Sequence, residues 1–140
     1  MKVTVLGNNS ALPAFGRYPT SQIVQVHEHL FLLDCGEGAQ MRMQQFGIRS
    51  DRINHVFISH LHGDHYFGLI GLLTSMSLLS RTQDLHIFGP PKLESIINIQ
   101  LEAADTELCY KVFFHSLGED GHIANTKRMS VESFRVKHRI

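Results

Sequence analysis

The sequence has no excess charge of either sign and no long hydrophobic run. Thirteen basic and thirteen acidic residues give a formal net charge of zero, so no global basic field would attract nucleic acid, and any such binding would depend on local patches. The longest apolar stretch, residues 69–79, contains one threonine and two serines and is too short to span a bilayer. We therefore expect a protein without membrane-spanning segments.

Cysteine is also scarce, which excludes a disulfide framework. The two cysteines, Cys35 and Cys109, lie in apolar surroundings without C-x-x-C spacing, and this favours buried free thiols in a reducing cytosol over a disulfide bond. The chain starts with Met-Lys-Val-Thr and enters a predicted strand directly, with no signal-peptide pattern. Together these features indicate a soluble, cytoplasmic protein.

What the sequence does contain is the material of one globular domain. Its 140 residues are 43% hydrophobic and 19% charged, values typical of a folded domain with its own core. Alternating and helical apolar spacings occur in mixed order, which predicts a mixed β-sheet with helices on one face. The predicted strands are 2–6, 21–26, 30–34, 53–58, 85–88, 110–115, 121–125 and 129–137, and the predicted helices are 37–46, 66–79 and 92–104.

One short stretch, residues 59–65, concentrates side chains that can bind metals. It reads Ser-His-Leu-His-Gly-Asp-His, an H-x-H-x-D-H pattern with four such side chains within six residues. The stretch follows a predicted buried strand and precedes a predicted helix, which is where open α/β folds place their ligand sites. The alternative interpretation is a histidine-rich loop whose side chains are satisfied by hydrogen bonds.

The spacing within this stretch suggests two neighbouring metal positions. His60 and His62 point the same way in an extended turn and can hold one ion. Asp64 and His65 open the helix and project differently, so they suit a second ion close by. Imidazole and carboxylate without thiolate favour zinc, with iron and manganese as alternatives.

This stretch and two others resemble known signatures. H-L-H-G-D-H after an apolar strand resembles the metallo-β-lactamase superfamily, whose members share an αββα sandwich and a two-metal hydrolytic centre. Residues 3–10, VTVLGNNS, followed by Pro13, are similar to the first strand and glycine loop of the ribonuclease Z family within it. Residues 33–38, LDCGEG, followed by Gln40, are similar to that family's second signature.

The resemblance implies a fold class and a domain boundary. It implies an α/β (α+β) fold, half of a metallo-β-lactamase αββα sandwich, with a mixed sheet and helices on one face. Proteins of this family are about twice as long as this chain, a length consistent with a large single domain. Residues 1–140 are therefore expected to be the amino-terminal part of a single domain, with the carboxy-terminal half absent.

The resemblance also implies an activity: zinc-dependent endonucleolytic removal of 3′ trailers from precursor tRNA. Asp64 would be the catalytic residue, holding a metal and accepting the proton of the attacking water. His138 would join His60 and His62 at the first metal, which makes the expected ligand set His60, His62, Asp64, His65 and His138.

Part of the family's ligand set does not occur in these 140 residues. A carboxylate that bridges both metals and a last histidine are missing, and the five expected ligands carry a single negative charge. An intact site would hold two Zn2+ ions about 3.5–4 Å apart, whose repulsion one carboxylate offsets poorly. We therefore expect at most about one zinc ion in this chain and no activity from the chain alone.

Other residues leave the substrate and the assembly open. Phe15 and Tyr18 replace the lysine and asparagine of the family's P-x-K-x-R-N loop, so they either stack on unpaired bases or mark a different phosphodiester substrate. The alternatives are another hydrolase of this fold (a small-molecule phosphodiesterase, sulfatase or thioesterase) and a non-catalytic, self-associating half-domain.

An apolar sheet face built by strands in 1–34, 53–58 and 129–137 predicts a homodimer. Asp34 is expected to be structural or to accept a hydrogen bond from a metal-bound imidazole.

Overall fold

The computed structural model describes residues 1–12, 14–118, 121–126 and 129–137. These residues form eight strands and four α-helices, with a 3-10 turn at Ser50–Arg52. The strands are β1 (Lys2–Gly7), β2 (Ser21–Val26), β3 (His29–Cys35), β4 (Ile53–Phe57), β5 (Leu85–Gly89), β6 (Val112–Ser116), β7 (Gly121–Thr126) and β8 (Met129–Ser133), and the helices are α1 (Ala39–Gln45), α2 (Gly63–Tyr66), α3 (Leu69–Leu78) and α4 (Leu93–Ala103).

The first six strands form one mixed sheet in sequence order, β1 to β6. Strands β1, β2 and β3 are antiparallel neighbours, and β3 to β6 run parallel to one another. A two-residue turn, His27–Glu28, joins β2 to β3, whereas each parallel pair needs a crossover that contains a helix. The mixed sheet predicted from the sequence is confirmed.

The helices and one face of the sheet enclose the main core. Leu32, Val56 and Ile87 on the three central strands have no exposed surface, and they belong to the same cluster as the buried side chains of α3. Burial of each such side chain is worth about 1.5–3 kcal/mol. The α3 members of the cluster are Leu69, Leu72, Leu73 and Met76.

The predicted helix 66–79 is split into α2 and α3. Gly68 lies between them, and a Cβ added there would approach the carbonyl oxygen of Gly36 to 2.2 Å. The amide of Gly68 donates to the carbonyl of Cys35 at 2.9 Å, so the chain bonds to the end of β3 where a helical bond would otherwise form. The helices in the described parts of the chain are all too short or too polar to cross a membrane.

The opposite face of the sheet carries a second, aromatic cluster. Phe31, Phe57 and Phe88 are 3–7% exposed, and the rings of Phe57 and Phe88 stack with centroids 4.9 Å apart. The β7–β8 hairpin forms a separate two-stranded sheet and packs its apolar side chains, including Val131, on this cluster.

This hairpin corrects the prediction for residues 129–137. The strand ends at Ser133, pairs only with β7 in the described structure, and does not extend the main sheet. It covers the centre of the face that we expected to be bare, and leaves Val3, Val5 and Phe113 at 42–49% exposure around it.

The prediction of two buried thiols is half wrong: both cysteines are free, but only Cys35 is buried and Cys109 is exposed.

Three histidines form a row on this outer face, one on each of β4, β5 and β6. The rings of His55 and His86 are 5.4 Å apart, and His86 Nδ1 lies 3.0 Å from His115 Nε2. Burial, and next the neighbouring charge of His86, hold the pKa values of His55 and His115 below the ordinary histidine value of 6.5. The folded state therefore disfavours protonation of His55 and His115.

Because the unfolded chain binds these protons more readily, we expect the protein to lose stability in mild acid. The contribution of His55 and His115 is fully present above pH 6.5 and is lost as the pH falls through 6.5 towards their lowered folded-state pKa values. Urea unfolding across this range should show a shallower pH dependence for His55→Gln than for the wild type. His27→Asn, at an exposed turn, is the control. An unchanged slope in His55→Gln would contradict this account.

Candidate functional site

The H-x-H-x-D-H stretch lies at the carboxyl end of β4, beside the carboxyl end of the parallel strand β3. His62 has extended backbone angles (φ −70°, ψ 139°) and directly precedes α2, and Asp64 lies in the first turn of that helix. A Cβ at position 63 would come within 2.1 Å of the exposed Phe67 ring, so a larger residue there would require that ring to move. The expected strand-to-helix position is confirmed.

His60 and His62 form the first pair of the site. His60 Nε2 lies 3.0 Å from His62 Nδ1, and the two rings meet edge to face. Two imidazole nitrogens bound to one tetrahedral zinc would be about 3.3 Å apart, given Zn–N distances of about 2.0–2.1 Å. The arrangement of this pair therefore fits one shared metal ion after a shift of a few tenths of an ångström.

Asp64 and His65 form the second pair. Asp64 Oδ2 lies 3.6 Å from His65 Nε2, and the two side chains are only 11% and 18% exposed. The His60 and His65 rings are 4.0 Å apart, so the two pairs adjoin. Within the described residues, however, no three His, Cys, Asp or Glu side chains surround a common point where a metal would sit. His138, the predicted third ligand of the first position, lies outside these residues.

Asp34 bonds to His65 of the second pair and to Ser59, the residue before the first pair. Its carboxylate is 9% exposed and accepts hydrogen bonds from the Ser59 amide at 2.8 Å and from His65 Nδ1 at 2.8 Å. The Ser59 hydroxyl lies 3.0 Å from the same carboxylate. Because Nδ1 of His65 is engaged with Asp34, its Nε2 is the nitrogen that faces Asp64 and is placed to bind a metal.

A β-bulge directs Asp34 towards the site. The pairing of β2 with β3 runs from Ser21↔Cys35 to Gln22↔Leu33 and skips Asp34, which has a positive φ of 54°. A bulge leaves the extra residue unpaired and re-aims its side chain. The sequence left two roles open for Asp34, a structural one and acceptance of a hydrogen bond from an imidazole, and the structure has a bond of the second kind, from His65. No role for Ser59 followed from the sequence, and its position directly before His60 was the one signal that could have indicated such a role.

Comparison with known proteins identifies the family. The family model described as anti-Pycsar protein Apyc1 matches residues 1–139. This chain belongs to that family. It is also 46% identical, over 97% of its length, to ribonuclease Z of Bacteroides thetaiotaomicron, and covers 44% of that protein. Ribonuclease Z of Phocaeicola vulgatus is 41% identical over 99% of this chain.

Solved structures show the same relation. The structure of human tRNase Z, short form, superposes with a TM-score of 0.92 at 32% identity, over all of this chain and 62% of that one. A subclass B3 metallo-β-lactamase from a soil metagenome, at 13% identity and a TM-score of 0.55, shares the fold. The chain is thus homologous to the amino-terminal region of ribonuclease Z and has part of a metallo-β-lactamase fold. It spans about half the length of the curated relatives it matches.

Proposed function

We propose that this chain supplies the metal-binding half of a zinc-dependent phosphodiesterase that removes 3′ trailers from precursor tRNA. The observation that carries the proposal is the paired arrangement of His60 with His62 and of Asp64 with His65, in a chain homologous to ribonuclease Z. The enzyme would act in the cytoplasm. Residues 1–140 would be the amino-terminal part of one domain, and the complete protein would add the second half.

Zinc would be held at two positions. His60, His62 and His138 would bind the first ion, and Asp64 and His65 would contribute to the second. When bound, the ions would polarise a phosphoryl oxygen and make hydroxide available near neutral pH. Asp64 would accept the proton of the attacking water, and cleavage would leave a 3′-hydroxyl on the tRNA without a covalent intermediate.

The loop that follows β1 supports binding of unpaired bases. Phe15 is fully exposed, and the ring of Tyr18 lies beneath the guanidinium of Arg42, 4.9 Å from its centroid. Tyr18 is half-buried, whereas the Phe15 ring is free to contact a ligand. An exposed aromatic ring, with a cation over a neighbouring ring, is typical of sites where single-stranded bases stack. The two residues that depart from the family's loop sequence would therefore contact the tRNA 3′ end through their rings.

A second candidate is a small-molecule phosphodiesterase with the same metal site. The family model that matches residues 1–139 has a description other than ribonuclease Z, which leaves the substrate class open. Cleavage assays on precursor tRNA and on bis(p-nitrophenyl) phosphate, with the complete protein, separate the two candidates. Preferential tRNA cleavage supports the first, hydrolysis of the small ester alone supports the second, and inactivity on both favours the non-catalytic alternative.

The 140-residue chain should bind at most about one zinc ion. The geometry offers two pairs of ligands, and only the first would gain a third ligand within this chain, His138. Elemental analysis after dialysis should therefore give a zinc-to-protein ratio near one or below, and His60→Ala should reduce it. His27→Asn is the matched control, and two tightly held ions per wild-type chain would refute the prediction.

The exposed part of the outer sheet face should make the chain a dimer. Val5 and Phe113 are 49% and 42% exposed on either side of the β7–β8 hairpin, and a two-fold dimer would bury both. Sedimentation should therefore show more than the 15.9 kDa monomer. Phe113→Glu should weaken association, whereas Ile99→Glu, at an exposed position of α4, should not. A monomer at micromolar concentration would overturn the prediction.

A further inference from the structure

Ser59 is the point where the hydrogen bonds of the two ligand pairs meet. Its hydroxyl oxygen lies 3.0 Å from Asp34 Oδ2, 3.0 Å from His60 Nδ1 and 3.3 Å from His65 Nδ1. Its backbone amide also donates to Asp34 Oδ1 at 2.8 Å. One serine therefore contacts the shared carboxylate and an imidazole of each pair.

The direction of each bond follows from the number of protons available. An ionised carboxylate only accepts hydrogen bonds, so the single hydroxyl proton of Ser59 goes to Asp34. The serine oxygen then accepts from His60 Nδ1–H, which leaves the lone pair of His60 on Nε2. That nitrogen is the one that lies 3.0 Å from His62 Nδ1, in the first pair.

We propose that Ser59 is a positioning residue that extends the orienting hydrogen bond of Asp34 to His60. His65 is held by the carboxylate directly, at 2.8 Å, and His60 is held by it through the serine hydroxyl. One carboxylate thus fixes the tautomer of an imidazole in each pair. The positioning role of Ser59 rests on the proposed metal centre, whereas the hydrogen-bond relay itself forms without a metal.

The tautomers of His60 and His65 in the metal-free chain test the relay directly. Long-range 1H–15N spectra at mildly alkaline pH, where imidazoles are neutral, should show both residues as Nδ1–H tautomers in the wild type. Ser59→Ala should change His60 alone, because His65 keeps its direct bond to Asp34. Asp34→Asn should change both residues. A merely structural role of Ser59 would not separate the two histidines in this way.

Zinc titration of the same variants supplies the second readout. Loss of a hydrogen-bond partner of a ligand costs about 10–100-fold in metal affinity. We expect about 10-fold for Ser59→Ala, because Ser59 is exposed and water can take the place of its hydroxyl. Ser59→Thr keeps the hydroxyl and should restore both the His60 tautomer and the affinity. Ser75→Ala, which removes a hydroxyl bonded to Gln40 on α1, is the matched control.

Each outcome decides a separate point. An Nε2–H tautomer of His60 in the wild type, or zinc affinity in Ser59→Ala equal to that of the wild type, overturns the role of Ser59. Failure of Ser59→Thr to restore the tautomer also overturns it, since the hydroxyl would then not be the active group. If the wild type binds no zinc, the proposed metal centre fails, and the tautomers alone still decide whether the relay exists.

Discussion

Asp64→Ala in the complete protein is expected to lower phosphodiester cleavage by about 1,000-fold or more while leaving the fold largely intact. The substitution removes a proposed metal ligand and the proposed proton acceptor together, and a positioned acid or base alone contributes about 100- to 10,000-fold. Asp64 lies beside His65 in the first turn of a four-residue helix and is not a member of either hydrophobic cluster, so stability should change little. Steady-state cleavage of precursor tRNA in metal-replete buffer is the measurement.

The control for this substitution is another aspartate on the surface. Asp84 is exposed in the loop before β5, where its backbone carbonyl accepts a bond from Arg81. Asp84→Ala also removes a carboxylate, but far from the motif. This variant should therefore cleave precursor tRNA at the wild-type rate. Near-normal cleavage by Asp64→Ala would refute the proposed role, and circular dichroism of both variants would show whether a loss of activity came from unfolding.

Arg81→Met is expected to destabilise the protein by about 1–3 kcal/mol, the cost of leaving hydrogen-bond acceptors inside the fold without partners. Arg81 is only 4% exposed and donates to the carbonyls of Gln83, Asp51 and Asp84 and to the side chain of Asn54. Its guanidinium also lies over the Tyr110 ring, 5.3 Å from the centroid. Methionine fills much of the volume but satisfies none of these acceptors.

Urea unfolding of Arg81→Met and of a surface arginine variant tests this expectation. Arg49 forms a solvent-exposed ion pair with Asp51, so Arg49→Met should leave the unfolding curve nearly unchanged. Arg81→Lys keeps the charge but cannot reach four acceptors in a fixed geometry, and should fall between the wild type and Arg81→Met. Equal curves for Arg81→Met and Arg49→Met would show that the buried hydrogen bonds contribute little.

The sequence predicted those parts of the fold that local patterns determine. The H-x-H-x-D-H stretch was placed correctly between a strand and a helix because its flanking apolar runs are continuous and the spacing of its side chains is local. The mixed sheet followed from the alternation of strands and helices. His138 stays a prediction, since it falls outside the described residues.

What the sequence could not show depends on contacts between distant segments. Apolar alternation in 129–137 predicts a strand but not the sheet to which it belongs, and the structure pairs Met129–Ser133 with β7. Two of the acceptors of Arg81, the Asp51 carbonyl and the Asn54 side chain, lie 30 and 27 positions earlier in the chain, so nothing near position 81 indicates them. The link from Asp34 to Ser59 spans 25 positions and forms only when β3 and β4 lie side by side.

The bulge at Asp34 restricts which amino acids this position can accept. Its left-handed backbone, φ 54°, favours glycine, asparagine and aspartate and penalises other side chains. The three donors around it then select within that group: glycine offers no acceptor, and the amide of asparagine would turn a donor towards Ser59 or His65. Aspartate alone meets both requirements, so any substitution at position 34 should either strain the backbone or remove a hydrogen-bond acceptor of Ser59 and His65.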